Sequence, residues 1–168
     1  MESVKLRRLK PEDRSVLAQL ANSKKVWDNV RDHLPHPYTE ADADFFINLV
    51  KDEDPFQNFG IAYEEELCGV IGVMPQPDIY RKSAELGYWI GEPYWGKGIA
   101  TTTVRLITDY AFNVFDMHRV YAGVFEYNVG SMRVLEKNGY QKEGVFKQAV
   151  IKNGAYWDEH RYYKLRDD

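Results

Sequence analysis

The stretch from Ala84 to Thr101 restricts the fold of this chain more than any other. Ala84-Glu85-Leu86-Gly87-Tyr88-Trp89-Ile90 reads as a strand, and Gly91-Glu92-Pro93-Tyr94-Trp95-Gly96-Lys97-Gly98 as a glycine-rich turn. Ala100, Val104, Ile107, Ala111 and Val114 then recur at helical spacing. A strand, a glycine turn and a helix in that order form an anion site. The N–H groups at the helix start have no partners within the helix, the positive end of the helix dipole lies there, and glycines let a phosphate approach the backbone.

The remaining sequence sets bounds on what such a site serves. At 168 residues the chain is long enough for one well-cored domain, and we expect a single domain over residues 1–168. An apolar fraction of 44% and a charged fraction of 29% are ordinary for a globular protein, and no stretch reaches the length of a membrane span. The start, Met1-Glu2-Ser3-Val4-Lys5, lacks the apolar core of a secretory leader, and the single Cys68 cannot form an internal disulfide. A cytoplasmic location without membrane partners is the expectation. The net charge of −4 argues against a nucleic-acid surface, which normally carries a clustered basic excess. The 12 tyrosines are read as sheet-packing residues, because aromatics favour strands.

Patterning gives a strand over Val4 to Leu9 and a helix from Pro11 to about Ala21. Val30 to Tyr38, with Pro35 and Pro37, reads as a loop, and Thr39 as the cap of a helix carrying Ala43, Phe46, Ile47 and Val50 on one face. Phe59 to Tyr63 and Leu67 to Met74 form a hairpin across Glu64-Glu65-Glu66. After the long helix come a strand over Val120 to Phe125 and a short helix over Ser131 to Lys137 ending before Gly139. Two closing strands, about Tyr140 to Ile151 and Ala155 to Leu165, flank the turn Lys152-Asn153-Gly154. The fold class is therefore α/β (α+β), with a mixed, mostly antiparallel sheet flanked by helices on both faces.

Three phosphate-binding patterns compete for the glycine turn. Gly91 to Gly98 nearly spells the nucleoside-triphosphate loop, but Gly98 stands where a Ser or Thr hydroxyl would bind Mg²⁺. Gly96 to Thr101 nearly spells the dinucleotide fingerprint, but Thr101 replaces its third glycine. Trp95-Gly96-Lys97-Gly98-Ile99-Ala100 resembles the R/Q-x-x-G-x-G/A turn of the GNAT superfamily of acyl-CoA-dependent N-acyltransferases. Tyr94-Trp95-Gly96-Lys97-Gly98 is similar to the branch of ribosomal-protein N-terminal acetyltransferases, in which Trp takes the place of Arg or Gln. The loop Asn29 to Thr39, the strand Glu85 to Ile90, the segment Asn128 to Tyr140 and the ending Asp158 to Tyr163 resemble the same branch, so the likeness covers essentially the whole chain.

That resemblance implies direct acetyl transfer from acetyl-CoA to a primary amine in a ternary complex, with no metal and no covalent enzyme intermediate. Gly96, Lys97, Gly98, Ile99, Ala100 and Thr101, with Trp95 marking the branch, would seat the pyrophosphate. Trp89 and Ile90 would offer backbone groups to the pantetheine, and Asn128 would hydrogen-bond its amides or serve as a turn residue. Deprotonating an amine of pKa near 10.4 at pH 7 costs about 4.6 kcal/mol, against about 1.1 for an α-amine near 7.8. Glu85 is the candidate base, directly or through water, its alternative being a surface carboxylate or ion pair. Most superfamily members place a proton-donating Tyr where this chain has Leu135. The branch instead uses the serine that is here Ser131, which as a residue before a helical segment is equally a candidate N-cap. Arg31, His33 and Tyr38 are read as acceptor contacts. His36, His118 and His160 show no metal spacing with Cys68, itself read as a core residue. The acceptor is left open between a protein α-amine, a polyamine and another small amine, and a homodimer is the prior for a small enzyme. A non-catalytic acyl-CoA sensor of the same fold is the rival reading.

Overall fold

Backbone hydrogen bonding turns these patterns into seven strands and five α-helices, seen in a computed structural model that describes residues 3–168. Met1 and Glu2, part of the segment read for a leader, lie outside the described residues. The strands are β1 (Val4–Arg7), β2 (Asn58–Tyr63), β3 (Glu66–Pro75), β4 (Ser83–Ile90), β5 (Arg119–Phe125), β6 (Gln141–Lys152) and β7 (Ala155–Leu165). The helices are α1 (Arg14–Ala21), α2 (Lys24–Trp27), α3 (Glu40–Val50), α4 (Ile99–Asn113) and α5 (Val129–Lys137). The strands make one sheet in the order β1-β2-β3-β4-β5-β7-β6. The pairs β1–β2, β2–β3, β5–β7 and β6–β7 are antiparallel, and β4–β5 is parallel.

The chain divides into two compact units, residues 1–72 with 88–103 and residues 73–87 with 104–168. The first unit is built on α1 and α3. Leu17, Ala18 and Ala21 from α1 bury with Ala43, Ile47 and Val50 from α3 and with Leu67 and Val70 from β3, the α3 residues recurring every three or four positions along the helix. As expected, Thr39 caps α3: its hydroxyl accepts the Asp42 N–H at 3.2 Å, and Asp42 accepts the Thr39 N–H at 2.8 Å. The patterning gave no helix for α2, whose single turn begins where Ser23 accepts the Val26 N–H at 3.3 Å. Four residues are too few for a hydrophobic period to show. Entry into α1 is secured by charge. Asp13 takes two hydrogen bonds of 2.8 Å from the Arg7 guanidinium and one of 2.7 Å from the Lys10 N–H.

In the second unit β5 shows why a period of two is legible. Val120, Ala122 and Val124 are buried, while Arg119, Tyr121, Gly123 and Phe125 on the other face are half-exposed. The buried row joins Val104, Ile107 and Ala111 of α4 and Met132 and Leu135 of α5 among the buried apolar residues of this unit. Thr108 and Tyr140 are both buried, and their hydroxyls satisfy one another at 2.6 Å. The Lys152 to Gly154 reversal is the tight turn expected, with φ of +54° at Asn153 and +74° at Gly154.

Burial opposes ionisation of the Asp13 carboxyl, but the Arg7 guanidinium and the Lys10 N–H outweigh it and hold the group below its usual range. A depressed carboxyl contributes stability above its unfolded value and loses it as pH falls through the folded value. Asp13→Asn is expected to lower stability at neutral pH by about 1–3 kcal/mol. The gap from the parent should close on acidification through and below the carboxylate range, as measured by denaturant unfolding at a series of pH values.

Candidate active site

The glycine turn belongs to the first unit and is open to solvent. Gly96 and Gly98 have φ of +75° and +76°, a left-handed conformation that only glycine adopts without strain. A Cβ added at Gly96 would meet nothing within 4 Å, so no packing requires a glycine there; the backbone conformation does. The turn is tied back to its strand by Trp95, whose indole N–H donates to the Ile90 carbonyl at 2.7 Å. Ile99, 1% exposed, anchors the start of α4 in the core, while Trp95, Gly96, Lys97 and Gly98 remain exposed. Ala100 and Thr101 follow, half-exposed, in the first helical turn. Two left-handed residues before a helix start, with a lysine between them, suit a pyrophosphate, and its seating would fall to the N–H groups of this run.

The end of β4 departs from the sequence expectation at Trp89. The Trp89 carbonyl faces β3, where a Cβ on Gly69 would lie 2.3 Å from it, and the Trp89 ring packs on the core of this unit. Strand alternation then sends the backbone groups of Ile90 to the opposite side, where Trp95 takes the carbonyl. The Ile90 N–H therefore points away from β3, whereas Trp89 is committed to packing and to the β3 side.

Glu85, Asn128 and Ser131 lie in the second unit. Glu85 is half-buried on β4, register partner of Tyr121 on β5, and its carboxylate accepts the Tyr121 hydroxyl at 3.2 Å. It is thus not a plain solvated edge carboxylate. The β4–β5 register covers Ser83–Glu85 against Arg119–Tyr121, while β4 itself continues to Ile90. Asn128, not Ser131, is the N-cap of α5: its side-chain carbonyl accepts the Ser131 N–H at 3.3 Å. Helix α5 starts at Val129, two residues earlier than the pattern indicated, which puts Ser131 inside the first turn and removes capping as its role. Leu135 is fully buried, so it belongs to the core.

The three acceptor-loop residues separate. Arg31 and His33 are exposed, whereas Tyr38 is 7% exposed in the α1–α3 core, and burial pushes its phenol up to about 12. Its place is packing, because the chain turns inward there to enter α3 and its N–H donates to Asn22 at 3.0 Å. Among the described residues no group of three or more His, Cys, Asp or Glu could hold a metal, and no helix is long and apolar enough to cross a membrane. Cys68 is buried, and burial pushes its thiol up to about 11, so it is poorly suited to act as a nucleophile. Tyr121, whose hydroxyl meets Glu85, is a residue that the sequence reading did not single out. The signal was its place in the outward row of a strand whose other row is wholly aliphatic.

Known proteins resemble this chain in sequence and in fold. YjcK, a probable N-acetyltransferase of Bacillus subtilis (strain 168), is 42% identical over 115 residues, which cover 67% of this chain and 62% of that protein. The match thus spans less than two thirds of that relative's length. Spermidine N(1)-acetyltransferase of Escherichia coli (strain K12) is 29% identical over 154 residues, 92% of this chain and 81% of that protein. RimL, a ribosomal L7/L12 α-N-protein acetyltransferase solved with coenzyme A, shares the fold with a TM-score of 0.85 at 22% identity, over 99% of this chain and 96% of that one. Residues 3–141 match the acetyltransferase (GNAT) domain family, and with the match spanning most of its length the chain belongs to that family.

Proposed function

We propose that this chain is an N-acetyltransferase that moves an acetyl group from acetyl-CoA to a primary amine. The observation that carries the reading is the exposed Gly96-Lys97-Gly98 turn, left-handed at both glycines and leading into α4, in a chain of the GNAT family. Bound acetyl-CoA supplies an acyl thioester whose thiol, of ordinary pKa about 8.5, is a good leaving group. The N–H groups from Gly96 to Thr101 hold its pyrophosphate, with Lys97 adding a positive charge. The Ile90 N–H polarises the carbonyl under attack, where negative charge develops. Asn128 contributes its side-chain amide N–H to the pantetheine, since its cap uses only the carbonyl oxygen. Glu85 removes the proton from the acceptor amine, directly or through water, and Ser131 donates one to the departing sulfur. Arg31 and His33 meet the acceptor.

The names of the relatives support an amine as the acceptor. One acts on spermidine and another on the α-amine of a ribosomal protein, and both substrates present an amine that must lose a proton first. The α-amine is the less costly of the two to deprotonate, and we place a protein N-terminus ahead of a polyamine. A second reading, a non-catalytic acyl-CoA sensor, is favoured by Leu135, which fills with a core side chain the position at which most of the superfamily carries a tyrosine.

Thermal stabilisation by acetyl-CoA is expected under both readings. Release of CoA thiol with serine- or alanine-initiated peptides, spermidine, spermine or an aminoglycoside is expected only of the enzyme. Stabilisation with no release across that panel would favour the sensor, and no stabilisation would remove both. Glu85→Gln is expected to lower kcat by roughly 10²-fold while acetyl-CoA affinity stays within about twofold. Ser131→Ala is expected to lower kcat by up to about 10-fold with α5 unaffected, since Asn128 holds the cap; full turnover in that variant would take Ser131 out of the mechanism.

A further inference from the structure

We propose that Tyr121 is a positioning residue for the reaction. Held by a pair of anchored guanidinium groups, it fixes the Glu85 carboxylate in the orientation that receives the amine proton. The inference rests on the reading of Glu85 as the base.

The geometry lies within the second unit, on the outward face of β4, β5 and β7. Glu85 and Tyr121 are register partners in the parallel pair, and the Tyr121 hydroxyl donates to Glu85 Oε2 at 3.2 Å. Two cations lie over the Tyr121 ring: the guanidinium carbon of Arg119 is 5.3 Å from its centroid and that of Arg161 is 5.1 Å. Neither cation is loose. Arg119 makes two hydrogen bonds to the Glu143 carboxylate, one of them at 2.9 Å, and also lies over Tyr163, the β7 residue opposite Tyr121. Arg161 bonds Glu159 at 3.2 Å and lies 4.3 Å over the Phe146 ring.

The support extends one layer further. Glu159 is 9% exposed and lies over Gly123, where an added Cβ would come within 2.0 Å of its carboxylate. The absence of a side chain at Gly123 is what lets that carboxylate lie there and hold Arg161. Arg161 is drawn in far enough that its Nε is buried without a hydrogen-bond partner. A simple surface ion pair would leave that N–H to water. Both guanidinium charges are met by Glu143 and Glu159, so they stack on the Tyr121 ring without displacing its hydroxyl as the partner of Glu85. A hydroxyl donated in a defined direction narrows the rotamers of the half-buried Glu85 carboxylate, and a base held in one of them loses less entropy in reaching the transition state.

Tyr121→Phe removes the hydroxyl and leaves the ring beneath both cations, so the fold is preserved. With the best acceptor from the panel above, kcat is expected to fall about 10-fold, acetyl-CoA affinity to stay within about twofold, and the melting temperature to change little. The loss should be larger for an acceptor amine of pKa near 10 than for one near 8, because the former depends more on its base. In a Glu85→Gln background the same exchange should cost nothing more, since nothing remains to position. Normal turnover in Tyr121→Phe, or a loss that multiplies with that of Glu85→Gln, overturns the proposal while leaving Glu85 as base. Normal turnover in Glu85→Gln alone removes the base reading, and with it this one.

Discussion

The hydrogen bond from the Trp95 indole to the Ile90 carbonyl is the link on which the glycine turn of the first unit depends. Strand β4 must end and α4 must begin within eight residues, and the intervening backbone must leave N–H groups facing solvent. Two left-handed glycines reverse the chain, but glycine costs more conformational entropy than any other residue and cannot hold the reversal alone. Trp95 supplies the missing constraint. It consumes the carbonyl that would otherwise lack a partner at the strand end and fixes the turn relative to β4, while Ile99 pins the first residue of α4 in the core. A turn fixed in this way is ordered before any ligand arrives, which is the condition that a preorganised anion seat requires.

The second unit solves a different problem with the same economy. One face of β5 is aliphatic and buried, which fixes its register, because a slip of one residue would expose Val120, Ala122 and Val124 together. The other face is then available for polar work. There Arg119 and Arg161 are met by Glu143 and Glu159 and lie over the Tyr121 ring, whose hydroxyl donates to Glu85. Each guanidinium has both a carboxylate and a ring, so the charges are kept at the sheet without being left unpaired in a poorly solvated place.

Much of this was legible in advance, and the failures have specific causes. Period-two alternation gave β5 and period-3.6 alternation gave α1, α3 and α4, since each buries a single face. The Thr39 cap was readable because a capping residue acts on the chain immediately after it. The start of α5 was missed by two residues because Asn128 and Ser131 are both capable caps, and only the hydrogen bond shows which is used. Tyr38 reads as a loop residue because Pro35 and Pro37 precede it, yet the entry into α3 turns it into the core. The Trp89 carbonyl lies against Gly69 of β3, a placement that the sequence does not show, since which way a strand carbonyl points is set by the partner strand.

The sequence alone determined the local grammar of this protein: the strand, glycine turn and helix, the alternating strands, the hairpin turns, and a family resemblance carried by motifs at fixed separations. These depend on residues near one another in the chain, where backbone geometry translates spacing directly into structure. Only the tertiary structure decided that Tyr121 is the partner of Glu85, 36 positions away, and that Gly123 makes room for Glu159. Those contacts arise from strand order and register, and cross-strand neighbours are chosen by the burial of whole faces, a property that no single segment contains.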